Sequence, residues 1–234
     1  MKKYGLLIVL VIGLVLFFAL GGRDYLSFNT LSLYYQSLQA FTQTHYFSSV
    51  LAFILVYIIL VAFSVPGAAI MTLICGFLFG AILATLWVII GATTGATISY
   101  LAVKLAFADL GSKQLKNKQS SIEKMRQGFQ KNELNYLLFL RLMPIFPFFV
   151  INIAAGILNV KLSNFVLGTF FGIIPGSFIY SWTGSGLGFA FSQNKVVDMG
   201  IIFAPQILLP IIGLAILSLL PIIYQKIKAK RQTT

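Results

Sequence analysis

The sequence predicts an all-α, polytopic integral membrane protein whose core holds two re-entrant hairpins facing each other in an inverted repeat. Three observations predict it. Hydrophobic residues make up 59% of the 234-residue chain and charged residues only 9%, with a mean hydropathy of +0.93, whereas soluble domains carry about 25% charged residues. No Asp, Glu, Lys or Arg occurs between Asp24 and Lys104, a stretch long enough for two or three helical crossings at roughly 20 residues each. Two long apolar segments are also interrupted, one at Pro66-Gly67 and the other at Pro144 and Pro147, where proline removes a backbone donor and breaks the helical ladder.

Residues 1–22 form the predicted first transmembrane helix. Their apolar run, 4–22, approaches spanning length, so an uncleaved helix is expected rather than a signal peptide. In 23–45, Leu31, Tyr34, Leu38 and Phe41 recur at helical spacing, which predicts an interfacial helix on the outer surface. The core follows over 46–191. It begins with a re-entrant segment, 46–80, and a span, 81–103, whose Gly91, Gly95 and Ala96 suit close helix packing. A basic cytoplasmic loop, 104–133, has Ser120 and Glu123 spaced as a capping box. The second re-entrant segment, 134–160, precedes a span, 163–191, interrupted at Pro175-Gly176. Residues 200–225 form the last transmembrane helix, and 226–234 a basic cytoplasmic tail.

Charge placement sets the topology. The net charge is +12: +2 from Lys2 and Lys3, +4 from 104–133, +4 from the tail, and the rest from Arg141 and Lys161. Segregation of this kind is the positive-inside pattern and attracts anionic headgroups, rather than marking nucleic-acid binding. With 21–45 outside and 104–133 inside, 46–80 must cross an even number of times before 81–103 crosses inward. The same reasoning applies to 134–160 before 163–191. One re-entrant hairpin at each place is the simplest solution, although 46–80 is long enough to cross twice. The result is an inverted repeat, and a shift of 80 residues aligns Gly76 with Gly156 and Tyr100 with Tyr180.

Arg141 is the leading candidate for a substrate-binding residue. An arginine among apolar residues is costly, and its planar fork suits a lipid phosphate. The competing role is snorkelling to the inner interface. Asn152 is the second candidate, for a headgroup or for backbone freed by the breaks at Pro66, Gly67, Pro144 and Pro147; an interhelical hydrogen bond would serve equally. Gly76, Gly80, Gly156, Pro175 and Gly176 are expected to permit close packing. Lys113, Lys116, Lys118, Lys226, Lys228 and Lys230 are expected to contact anionic lipid. His45 stands alone, and the single Cys75 lies in an apolar run, so no intrachain disulfide can form. All five acids (Asp24, Asp109, Glu123, Glu133 and Asp198) fall outside the predicted spans. No catalytic triad, metal cluster or phosphate-cradling loop is present, so neither an enzyme nor a cofactor is expected.

The segments FSVPGAAIMTLICGFLFG (63–80), RLMPIFPFFVINIAAGI (141–157) and GTFFGIIPGSFIYSWTGSGL (168–187) together resemble the VTT-domain superfamily. This is the SNARE-associated Golgi protein family, which includes the bacterial DedA proteins. The resemblance covers roughly 45–190. It implies two facing re-entrant segments and lipid movement, with Arg141 on the first arginine of the second re-entrant motif. DedA proteins also carry acidic residues in the first re-entrant segment and a second arginine soon after the first. This chain has neither, which places it nearer the branch named after the yeast Golgi vesicle protein. Proton coupling and recognition of undecaprenyl phosphate therefore do not carry over.

Three functions follow in order of preference. The first is passive phospholipid scrambling through a groove between the re-entrant segments. The second is secondary transport of a small solute, which a titratable group inside the spans would support. The third is a membrane assembly protein whose basic loop 104–133 recruits a partner. The expected setting is a bacterial inner membrane with both termini cytoplasmic. The oligomeric state stays open, a homo-oligomer included.

Overall fold

The computed structural model describes residues 7–12, 15, 37–65, 67–114, 132–142 and 146–192, with isolated positions at 205, 209, 212 and 213. Seven helices carry the core: α1 (Tyr46–Ala62), α2 (Ala68–Phe79), α3 (Ala81–Gln114), α4 (Glu133–Leu142), α5 (Phe148–Ile157), α6 (Leu162–Gly172) and α7 (Ile174–Ser192). Among the described residues there is no strand. Outside the described residues lie most of the first transmembrane helix (1–22) and of the interfacial helix (23–45), loop residues 115–131, and nearly all of 200–225. The tail 226–234 with Lys226, Lys228 and Lys230, and also Pro66, Pro144, Lys116 and Lys118, lie there too. Lys113 belongs to the end of α3 by its backbone.

Two helical stretches are long and apolar enough to cross a membrane, Ala81–Phe107 and Leu162–Gly188. The second runs through α6 and α7. Ile173 separates them, yet the amides of Ile173 and Ser177 still donate to Thr169 and Ile173, so Pro175 removes one donor without ending the span. A third crossing is available if Ser37–Thr44 and α1, which meet at 114°, are taken together. With 12 and 10 residues, α2 and α5 are only about 18 and 15 Å long at 1.5 Å per residue. That falls well short of the roughly 30 Å hydrocarbon core.

The two breaks fall where the prolines predict. α1 ends at Ala62 and α2 starts at Ala68, with Ser64 at φ 57° and Gly67 at φ 141° turning the chain. Gly67 occupies backbone space that a side chain would strain. The Ser64 hydroxyl lies 3.2 Å from that of Ser99, tying this turn to α3. α4 ends at Leu142 and α5 starts at Phe148, with Pro147 (φ −54°) entering the helix in the geometry proline prefers.

The limbs on either side of a break do not pair mainly with each other. α1 packs chiefly on α3 and α4 on α6, whereas α2 packs on α7 and α5 on α3. The first limb of each half therefore rests on the span that follows it, and the second limb crosses to the span of the other half. Two glycines permit the crossings. A Cβ at Gly76 would overlap the Ser181 carbonyl of α7, and one at Gly156 would come within 2.8 Å of Val103 and 3.0 Å of the Tyr100 carbonyl of α3. Close packing against the described residues does not explain Gly80 or Gly176, where a Cβ would meet none of their atoms within 4 Å. Gly80 instead supplies φ 78° at the corner between α2 and α3.

Beyond the expected end of the span at 103, α3 continues as a helix to Gln114. Lys104 stays helical because its ammonium has partners within reach, donating to the Tyr100 hydroxyl at 2.8 Å and the Val160 carbonyl at 2.9 Å. Tyr100, itself bonded to Val160, stacks on Phe165 with ring centroids 4.3 Å apart. Glu133, expected in a loop, is buried at 4% exposure. One of its carboxylate oxygens accepts from the Lys161 amide at 3.1 Å and the Asn164 side-chain amide at 2.7 Å. It thus caps α6 from a distant part of the chain and lends negative charge to a helix N-terminus. Glu133→Ala is expected to destabilise the protein by about 1–3 kcal/mol, the cost of leaving buried donors unpaired. The check is the thermal midpoint of the purified protein; an unchanged midpoint would show the cap to be dispensable.

Candidate functional site

Residues flanking both helix breaks line one cavity of about 410 Å³. Val65, Gly67 and Ala68 come from the first break and Phe146, Pro147 and Phe148 from the second. Ile173, with Gly176, Ser177 and Tyr180 of α7, forms another wall, and Arg141 reaches in from the end of α4. The lining is mostly apolar with a few polar groups, the usual character of a ligand site. On the α1–α2 side the Tyr57 and Thr72 hydroxyls are 3.0 Å apart, and Thr72 also donates to the Ala68 carbonyl at 2.8 Å.

Arg141 is the electrostatic centre of this region. Its guanidinium does not run out along the helix but turns into the protein. Nη1 donates to the Phe148 carbonyl at 3.2 Å, and Nη2 donates to Asn152 Oδ1 at 2.6 Å and Thr169 Oγ1 at 3.0 Å. Its Cζ sits 4.2 Å from the centroid of the Phe148 ring and 5.5 Å from that of Phe165, within reach of a cation–π attraction. One side chain thereby joins α4, α5 and α6. Gly172 allows the approach: a Cβ there would lie 2.6 Å from Arg141 Cβ. A charge paired with carbonyl, amide and hydroxyl oxygens is how arginine is tolerated away from bulk water.

This geometry limits what Arg141 can offer a ligand. Both Nη2 hydrogens are engaged and one Nη1 hydrogen is used, while Nε is buried without a partner among the described residues. A bidentate grip on a phosphate would need the side chain to leave Asn152 and Thr169, whereas one contact through Nη1 needs no such change. Asn152 is fully buried, does not line the cavity, and holds the guanidinium through Oδ1. Its position is that of a residue orienting Arg141. Thr169, also fully buried, has no counterpart among the sequence expectations. The only signal for it is its place beside Gly168 and Gly172, the small residues that let α4 approach. His45 stacks on Phe41 at 4.9 Å, and Cys75 is buried beside the Ala84 carbonyl.

A family model described as the VTT domain matches residues 65–186, a range that begins within the first break and contains the second break and the cavity wall on α7. A "Transmembrane protein 41 homolog" of Dictyostelium discoideum is 33% identical over 200 residues, covering 86% of this chain and 58% of the relative. "Transmembrane protein 41B" of Xenopus tropicalis is 32% identical, covering 81% of this chain and 66% of that protein. The Homo sapiens protein of the same name is 31% identical, with 81% and 63% covered. The chain thus spans somewhat less than two thirds of these relatives' length. No solved structure matches. A domain match over half of the chain, with relatives alike beyond its ends, makes this transmembrane protein a member of the VTT-domain family.

Proposed function

We propose that the chain moves phospholipid between leaflets passively, the headgroup travelling through the cavity while the acyl tails stay in lipid. The observation that carries this reading is that the two helix breaks, far apart in sequence, line one cavity together with Arg141. Helices α2 and α5 are too short to cross alone, which favours a re-entrant hairpin at each break. The exchange of second limbs between the two spans favours an inverted repeat. None of the lining residues carries a carboxylate, which favours a passive path over proton coupling. The Nη1 hydrogen of Arg141 that has no acceptor among the described residues supports weak phosphate capture, and a translocation path must release what it binds.

The setting that fits is an inner membrane with the basic segments cytoplasmic, where Lys113, Lys116, Lys118 and the tail would meet anionic headgroups. Catalysis forms no part of the proposal. The test is reconstitution into liposomes bearing a fluorescent phospholipid, followed by an impermeant quencher. Wild-type protein is expected to expose the inner-leaflet pool as well as the outer. Quenching that stops at the outer-leaflet half, with folded protein present in the vesicles, sinks the proposal and leaves solute transport to be examined by uptake.

A further inference from the structure

We infer that Gly176 sets the size of headgroup the cavity admits, an inference that rests on the translocation reading above. Gly176 lies on the cavity wall, in the first turn of α7. Neither common reason for glycine applies to it. Its backbone is not among those with positive φ, where only Gly67 and Gly80 are found among the described glycines. Nor does packing against the described residues require it, since a Cβ would meet no heavy atom of theirs within 4 Å. The contrast on the same helix is sharp: a Cβ at Gly184 would overlap the Leu73 carbonyl of α2. Alanine is the better helix former, so glycine at 176 disfavours the helix and leaves open volume in return.

That volume adjoins polar surface. Ser177 and Tyr180, one and four positions further along α7, line the same cavity, and each carries a hydroxyl. Arg141 completes the set. A polar group passing Gly176 meets two hydroxyls that can give or take a hydrogen bond and one cation. Its bulk is limited by the space that a side chain at 176 would fill. Carbon atoms added there narrow the path without disturbing the fold, and the largest headgroups are excluded first.

The test compares wild type with Gly176→Ala, Gly176→Val and Gly176→Leu in liposomes. The probes are phosphatidylethanolamine and phosphatidylinositol, each labelled on an acyl chain. Exchange of the inositol lipid is expected to fall before that of the ethanolamine lipid as the side chain grows, with loss of both at leucine. The thermal midpoint stays at or above that of wild type. Gly176→Cys guards against misfolding of the larger variants. Labelling folded, reconstituted protein with a bulky methanethiosulfonate should stop exchange, and a reductant should restore it. Cys75, with no exposed surface, is shielded from the reagent. If both the leucine variant and the labelled cysteine variant exchange both lipids at the wild-type rate, Gly176 has no such role. If wild type exchanges neither lipid, the translocation reading fails first and this inference falls with it.

Discussion

Gly76→Val is expected to prevent the protein from accumulating in a folded form. The added side chain would occupy the position of the Ser181 carbonyl on α7. Backbone cannot rotate aside as a side chain tip can. Overpacking a core costs about 1–3 kcal/mol when side chains can yield, and here the relief would require α2 and α7 to separate. The crossing is reciprocal, because Gly184 on α7 meets the Leu73 carbonyl on α2. Separation would therefore break both contacts at once, along with Cys75 and Phe79, which belong to the buried core. Fluorescence-detected size exclusion of a tagged protein is a direct check. A sharp monodisperse peak for Gly76→Val, with a wild-type thermal midpoint, would show that the helices cross less tightly than described. Gly176→Ala, on the same α7 but facing open space, is the matched control and should leave the peak intact.

Arg141→Ala is the second large effect, and it should appear in both stability and transport. Removing the guanidinium leaves the Phe148 carbonyl and Asn152 Oδ1 without the donor that joins them to α4. Hydrogen bonds to a charged group are worth about 1.5–3 kcal/mol each, and a buried polar atom left unpaired costs its desolvation besides. A loss of several kcal/mol is expected, with lipid exchange abolished. Arg141→Lys should recover little, since one ammonium cannot reproduce a planar fork stacked on Phe148 and aimed at three acceptors. Asn152→Asp separates the two roles. It keeps the shape, places a carboxylate on the guanidinium, and should hold Arg141 more firmly, slowing exchange without loss of the folded protein. Wild-type exchange in Arg141→Ala would remove the phosphate contact from the mechanism.

What the sequence makes legible is tied to residues with one dominant effect. The helices end on either side of Pro66 and of the Pro144–Pro147 stretch because a missing donor acts locally, whatever the surroundings. The close approaches at Gly76 and at Gly156 are legible for a similar reason: each lets a short helix close on a span. Lys104 and Glu133 are different. Charge counting assigns a side of the membrane but cannot tell a solvated loop from a helix end whose charge is held by Val160 or the α6 N-terminus. Thr169 is hidden for another reason. Thr72, Thr85, Thr94, Thr97 and Thr183 all bond the carbonyl four residues back, the usual fate of a threonine in an apolar helix. Nothing local distinguishes Thr169 from them until α4 brings Arg141 alongside. Asn152 is likewise legible as a polar residue at depth, but not as the support of another side chain rather than a ligand of its own.

The limb exchange also imposes an order on biosynthesis. Leu73 and Gly76 are made roughly 100 residues before the Ser181 and Gly184 surface they close upon. At about 5–20 residues per second of translation, α2 spends on the order of 5–20 seconds in the bilayer without its partner. Over that interval its free backbone ends and glycine face have only α1, α3 and whatever the insertion machinery provides. The ribosome must release most of the chain before the first half can settle, so α2, the second core helix to be made, is among the last to be completed. A stop codon after α5 would leave an unfinished first half, not a smaller working unit.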